Sequence, residues 1–224
     1  LTRDEGLIGE NVDAVLEDSR GSLWIGSETN GLTEMQPDGT IQTYDVSTGL
    51  PGNSVYVLHE DSRGRMWIGF RYAGLCRMGT DEFHCLTDEE GLPSNTIFSV
   101  HESPDGALWI GTNDGFARFQ NGSITSHNRE NGFDARYVVS ITGGPEGGIW
   151  LATLQSGLFR MNPDGSFTHY ASDDGLTNES LVTMFRDRKD VLWIGTAASG
   201  ICRYREGQIA CIDVDHGLPS NTII

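Results

Sequence analysis

Five tryptophans recur along the chain, Trp24, Trp67, Trp109, Trp150 and Trp193, spaced 43, 42, 41 and 43 residues apart. Each lies in a near copy of one string: GSLWIGSET (21–29), GRMWIGFRY (64–72), GALWIGTND (106–114), GGIWLATLQ (147–155) and DVLWIGTAA (190–198). A second marker runs ahead of them, Gly6-Leu7, Gly49-Leu50, Gly91-Leu92, Gly132-Phe133, Gly175-Leu176 and Gly217-Leu218. Each of the first five glycines precedes its tryptophan by 18 positions. Spacing this regular marks an internal repeat, and a period of about 40–45 residues that holds several short strands is the pattern of a β-propeller blade.

One unit, 91–131, shows how the strands fit. TIFSVHE (96–102) is rich in β-branched and apolar residues and reads as a first strand. The turn SPDG (103–106) leads to ALWIGT (107–112), then NDG to FARFQ (116–120), and the hairpin signal Asn121-Gly122 to SITSH (123–127). The expected fold is all-β, a propeller of four-stranded antiparallel blades. The marker gives five complete blades, 6–48, 49–90, 91–131, 132–174 and 175–216, within a single propeller region, 1–224. Residues 1–5 and 217–224 read as partial flanking blades. The expectation is therefore a fragment of a larger ring of about seven blades, inside the usual range for propellers.

The repeat also names a core. Val12, Val55, Ile97, Val138 and Leu181 share one column of the first strand. Val15, Leu58, Val100, Ile141 and Met184 share another, three residues on. The tryptophan strand is apolar on both sides of the indole, as a strand packed on both faces should be. Five indoles in this position are expected to be packing, not a carbohydrate platform.

Composition bounds the partners. Glycine makes up 29 of 224 residues, about twice ordinary usage, which suits turn-rich β structure. The formal net charge is −17. Nucleic acid and anionic membrane surfaces both demand a Lys/Arg footprint, so neither is an expected partner, and no direct membrane contact is expected in this segment. No apolar run reaches the roughly 18 residues needed to span a bilayer.

The four cysteines form two C-x8-C pairs on the third and fourth strands of blades 2 and 5. Centring a two-residue turn on Glu206-Gly207 sets Arg205 opposite Gln208, Tyr204 opposite Ile209, Arg203 opposite Ala210 and Cys202 opposite Cys211. Centring on Thr80-Asp81 sets Cys76 opposite Cys85. Both pairs then fall on non-hydrogen-bonded positions, where Cα atoms approach to about 4.5 Å. Two cross-strand disulfides that staple the outer hairpins are expected, with buried thiols as the alternative. Disulfides favour an oxidising compartment, the periplasm or cell exterior.

The strings GLPSNTIFSVHESPDGALWIGTNDGFARF (91–119) and GLPGNSVYVLHEDSRGRMWIGFRYAGLCRM (49–78) closely resemble the two-component regulator propeller repeat. Blade 4 departs most: GFDARYVVSITGGPEGGIWLA (132–152) lacks the Pro and Asn of the marker and has Ala152 where its sisters have Gly. Blade 5 has Asp190 in place of the turn glycine. The resemblance implies the extracytoplasmic input region of a membrane-anchored bacterial receptor, with the rest of the receptor chain as partner. Its output would be a histidine kinase, a hybrid kinase or a diguanylate cyclase. The input would be a small extracellular ligand, a saccharide in some members of the family.

The residues give little sign of catalysis. No G-x-S-x-G, H-E-x-x-H or P-loop occurs, and no cofactor, metal or catalytic residue is expected. His59 and His101 share a column with Leu16, Thr142 and Phe185, which makes it a packing column. The recurrent D-x-x-G (Asp18–Gly21, Asp61–Gly64) reads as a side chain capping a tight turn. Binding residues are sought where the repeat breaks on one rim. The loops between second and third strands give Glu28, Asn30, Arg71, Tyr72, Asn113, Asp114 and Gln155. The loops joining blades give Asn11, Asn53, Asn95, Arg136 and Asn178. Arg71 and Tyr72 stand out, because their sisters are small or acidic. The alternatives are a protein-interaction propeller and an enzyme resembling streptogramin lyase.

Overall fold

The structure is a computed structural model that describes residues 9, 11–80, 82–144 and 147–223. The Gly6-Leu7 marker, residues 1–5 and Asp81 of the Thr80-Asp81 turn lie outside the described residues. Twenty strands form five four-stranded antiparallel sheets. The first sheet is β1 (Val12–Glu17), β2 (Leu23–Ser27), β3 (Gly31–Met35) and β4 (Ile41–Tyr44). The second is β5 (Val55–Glu60), β6 (Met66–Phe70), β7 (Leu75–Met78) and β8 (Phe83–Leu86). The third is β9 (Ile97–Glu102), β10 (Leu108–Thr112), β11 (Gly115–Gln120) and β12 (Ser123–His127). The fourth is β13 (Val138–Gly143), β14 (Ile149–Thr153), β15 (Leu158–Met161) and β16 (Phe167–Tyr170). The fifth is β17 (Leu181–Arg186), β18 (Leu192–Thr196), β19 (Ile201–Arg205) and β20 (Gln208–Ile212). Consecutive strands pair throughout, so these are the blades of a β-propeller.

The chain divides into two compact units, Leu1–Ile110 with Ala117–Ser126, and Gly111–Phe116 with His127–Ile224. In the first unit, one core cluster joins Trp24 and Leu32 to Val55, Ile68, Phe70 and Cys76. A second joins Trp67 and Leu75 to Ile97, Leu108, Ile110 and Ala117. In the second unit, Trp150, Leu158, Leu181, Leu192, Ile194 and Cys202 pack together. The indoles of Trp24, Trp67, Trp109 and Trp150 are buried and that of Trp193 is half-buried.

Four of the five indoles also have a polar tie. Trp24 Nε1 donates to Asp18 Oδ2 at 3.0 Å, Trp67 to Asp61 at 2.8 Å and Trp193 to Asp187 at 3.1 Å. In the third sheet Ser103 Oγ takes that place, 3.1 Å from Trp109 Nε1. The D-x-x-G aspartate therefore does two jobs. One oxygen of Asp18 accepts the backbone N–H groups of Arg20 and Ser22, and the other accepts the indole.

The Gly-Leu marker has a conformational cause. Short 3-10 turns at Val46–Thr48, Arg129–Asn131, Ser172–Asp174 and Val214–His216 each end on a marker glycine. Gly49, Gly132, Gly175 and Gly217 hold φ between 94° and 102°, a region that side-chain-bearing residues rarely adopt. Asp190, where the other turns have glycine, keeps the same left-handed geometry at φ 62°.

Two core expectations fail. Val12 is 42% exposed, although its sisters Val55, Ile97, Val138 and Leu181 are wholly buried. Val15 is 61% exposed, although its sisters Leu58, Val100 and Met184 are half-buried and Ile141 is buried. Val55 and Ile97 close on the sheet that precedes their own. Among the described residues no sheet stands ahead of β1, so the seat of Val12 has no cover.

The hairpin register pairs Cys202 with Cys211 and Cys76 with Cys85. Both pairs are bonded, with Cα atoms 3.9 Å apart. The bridges are not confined to an edge: Cys76 and Cys202 are fully buried and sit within the clusters between sheets. Alkylation followed by mass measurement should therefore label no thiols in native or urea-unfolded protein and four after reduction. Labelling before reduction would contradict the bridges.

Candidate functional site

The site on the first unit starts from a bulge. In sheets 1, 2, 4 and 5 the register between first and second strands slips by one residue, which leaves Asp13, Tyr56, Val139 and Val182 without a partner. A bulge re-aims the side chain at the extra position. Asp13 and Tyr56 thereby join the loops that follow β2 and β6.

Arg71 lies at the centre of this cluster. Its backbone is held at both ends, its N–H donating to Ser54 O at 3.1 Å and its carbonyl accepting from Thr96 Oγ1 at 2.6 Å. The guanidinium lies 5.4 Å from the ring centre of Tyr72 and 5.7 Å from that of Tyr56. Its Nη1 is 3.8 Å from Glu28 Oε1, and Asn11 Nδ2 donates to Glu28 Oε2 at 3.1 Å. Tyr56 stacks on Phe98 with ring centres 6.4 Å apart, and Tyr72 is 73% exposed. Asp13 feels the same group: burial pushes its carboxyl up, Glu28 adds to the rise, and Arg71 opposes it. Burial also raises the Tyr56 hydroxyl above its usual range. Two carboxylates, one guanidinium and three aromatic rings thus share a partly exposed surface. Carboxylates accept from hydroxyls, and ring faces pack on apolar C–H faces, so the set suits a hydroxylated ligand with one apolar face.

The remaining candidates fall elsewhere. Asn30 closes its own hairpin, its N–H donating to Ser27 Oγ at 2.8 Å and its Oδ1 accepting from Thr29. Asn113, Asp114, Arg136 and Gln155 belong to the second unit. There Arg136 Nε pairs with Asp114 Oδ1 at 2.9 Å, the carbonyl of Asn113 accepts from Tyr137 N, and Gln155 is exposed. Apart from Asn11, the joining-loop asparagines are scaffold. Asn53 Oδ1 accepts from Val46 N and Asn95 Oδ1 from Asp88 N, while their carbonyls accept from Gly31 and Gly74. Asn178 Oδ1 accepts from Ser180 N at 2.7 Å. Their recurrence is itself the signal of a structural role.

Sequence reasoning missed Asp13, Tyr56 and Phe98. Their column reads Asp, Tyr, Phe, Val, Val, the variable one of the first strand. His59 and His101 are half-buried, and burial holds both below the usual histidine range. Among the described residues, no group of three or more His, Cys, Asp or Glu is placed to hold a metal ion. No helix among them is long and apolar enough to cross a membrane.

Residues 6–29, 49–72 and 91–114 match the model of the two-component regulator propeller. Three stretches of the chain therefore match that repeat. Each matched stretch runs from a Gly-Leu marker through the tryptophan strand, so the family pattern is the first hairpin of a blade. No curated protein matches the chain. Among solved structures, one named as the extracellular domain of the hybrid two component system BT3049 from B. thetaiotaomicron aligns with a TM-score of 0.79 and 22% identity, over 97% of this chain and 30% of that one. The corresponding domain of BT4673 from the same organism aligns at 0.74 and 20%, over 91% and 31%. Virginiamycin B lyase from Staphylococcus aureus aligns at 0.72 and 19%, over 90% and 69%. The propeller repeats thus span about a third of the hybrid-system structures. At these identities the likeness is one of fold.

Proposed function

We propose that this chain is a sensory propeller region of a bacterial two-component receptor, placed outside the cytoplasm, and that its first unit takes a small extracellular ligand on the Arg71 surface. Saccharides are the ligand class whose hydroxyls and apolar faces fit it. The reading draws on the matched repeats, on hybrid-system neighbours named as extracellular, and on two disulfides, which persist in oxidising compartments. The output domain, kinase or cyclase, would belong to the rest of the receptor. The observation that carries the ligand site is the convergence of Asp13, Glu28, Tyr56 and Tyr72, from two bulges and two loops, on the Arg71 guanidinium. The likeness to virginiamycin B lyase brings the fold and no reaction.

The test is calorimetric titration with a panel of neutral and uronic-acid oligosaccharides. Arg71→Ala with Tyr72→Ala should weaken whichever member binds by at least about tenfold, roughly 1.4 kcal/mol. Gln155→Ala, in the second unit, should leave the affinity unchanged. An affinity untouched by the Arg71 and Tyr72 changes would move the ligand off this surface.

A further inference from the structure

Fifteen Lys and Arg serve a chain with thirty-two Asp and Glu. Four of the fifteen line a single cavity of about 270 Å³ in the second unit: Arg160, Arg186, Arg205 and Lys189, the chain's sole lysine. Two acids share the wall, and both are engaged. Asp190 Oδ1 is 2.8 Å from Arg186 Nη2, and Glu206 Oε1 is 3.3 Å from Arg205 Nε. The lining therefore holds two positive charges in excess, within a molecule whose net charge is −17. Beyond a Debye length of about 8 Å at physiological salt the overall charge is screened, so local charge governs what enters. There Asp187, which interacts with Lys189, offsets part of the excess.

The cavity lies at the β17–β18 turn, the opposite strand ends from the loops that follow second strands. Its floor is Trp150, Leu192 and Tyr204. Arg160 stands opposite Trp150 in the β14–β15 register, and its guanidinium stacks 5.6 Å from the indole centre. Stacking orients the fork before any ligand arrives. Arg160 Nε is buried, with no hydrogen-bond partner among the described residues. A buried guanidinium N–H lacking an acceptor is costly, and an oxyanion is the group that relieves it, through short charge-assisted bonds.

The same placement recurs in the first unit. A cavity of about 280 Å³ there is lined by Arg63, Arg65 and Arg77, with Leu108 and Phe119 on its floor. Arg77 stands opposite Trp67 as Arg160 does opposite Trp150. Its Arg65 is held by Asp61 at 2.6 Å. The arginine opposite the indole is thus shared by the two cavities, while the other basic residues come from different positions of the repeat.

We infer that the cavity lined by Arg160, Arg186, Lys189 and Arg205 is an anion-binding site for a small ligand bearing a sulfate, phosphate or carboxylate group. Arg160 presents its fork from the floor and Lys189 closes from the turn as a mobile point charge. Arg186 and Arg205 stay tied to their carboxylates and narrow the entrance.

The test is NMR titration of the chain with sodium sulfate, sodium phosphate and sodium acetate in separate arms, with ionic strength held constant by sodium chloride. The Arg160 Nε–H and Trp150 Nε1–H resonances are followed. At least one arm should give a saturable shift at both, and the tightest arm names the head group. Lys189→Gln, an exposed change that leaves the fold alone, should weaken binding at least fivefold, and Arg160→Gln, read at Trp150, at least tenfold. Arg77→Gln should leave these resonances and their saturation unchanged. Shifts that stay linear in all three arms, or saturation unaltered by Lys189→Gln and Arg160→Gln, would overturn the assignment.

Discussion

Replacing Asp61 by Ala should destabilise the first unit by about 3–5 kcal/mol, read as a fall in the urea midpoint. The carboxylate is buried, and four donors converge on it. Oδ2 accepts from Trp67 Nε1 at 2.8 Å and Arg65 Nε at 2.6 Å, while Oδ1 accepts from the N–H groups of Arg63 and Arg65 at 3.0 Å each. Hydrogen bonds to a charged group contribute about 1.5–3 kcal/mol, and a buried donor left unpaired adds its own desolvation penalty. The chain supplies a control. Ser103 receives the indole of Trp109 in the third sheet, so Asp61→Ser should retain the indole bond and cost about half as much. Equal losses for Ala and Ser would mean that the indole tie contributes nothing.

The same carboxylates set an acid limit. Burial pushes Asp61 and Asp18 up, but the indole, backbone and arginine donors outweigh it and hold both below the usual carboxylate range. A folded-state pKa below the unfolded value of about 3.9 means that the contribution is complete above pH ~5. It is lost as the pH falls through the folded value. Midpoints measured from pH 6 down to pH 3 should fall for the native chain, and fall less steeply for Asp61→Ser.

The blades were legible because their causes are local. An apolar strand around Trp, a turn that needs a left-handed glycine and a two-residue hairpin each leave a fixed residue at a fixed spacing. The Cys202–Cys211 register followed from turn length alone. The bulge left a subtler trace. Val55 and Leu58 lie on one face although three residues apart, an odd spacing that places residues of a regular strand on opposite faces. That odd spacing is the bulge, and missing it hid Asp13 and Tyr56. Loop position alone brought Asn53 and Asn95 among the rim candidates, although the asparagines are consumed in holding the joining turns. The exposure of Val12 depends on what packs against β1, which no local pattern encodes.

The glycine two residues after the tryptophan in the first, second and fifth sheets tests whether the blades pack by shape. A Cβ on Gly26 would lie 2.5 Å from Val55 Cγ1, on Gly69 2.9 Å from Ile97 Cγ2, and on Gly195 2.7 Å from Ile223 Cγ2. All three facing residues are β-branched. The fourth sheet has Ala152 at this position, fully buried, and the residue cognate to Val55 is Leu181 in the same cluster. Leucine carries no branch at Cβ, so it leaves room where valine and isoleucine project a methyl group. Gly26→Ala should therefore cost about 2–3 kcal/mol through overpacking. Adding Val55→Leu should restore at least half of that, because the pair then reproduces the fourth sheet. A double-mutant cycle in urea measures the coupling, expected at about 1–2 kcal/mol in favour of the double variant. Strict additivity would show that Ala152 is accommodated by a shift of the whole sheet and not by the shape of its neighbour.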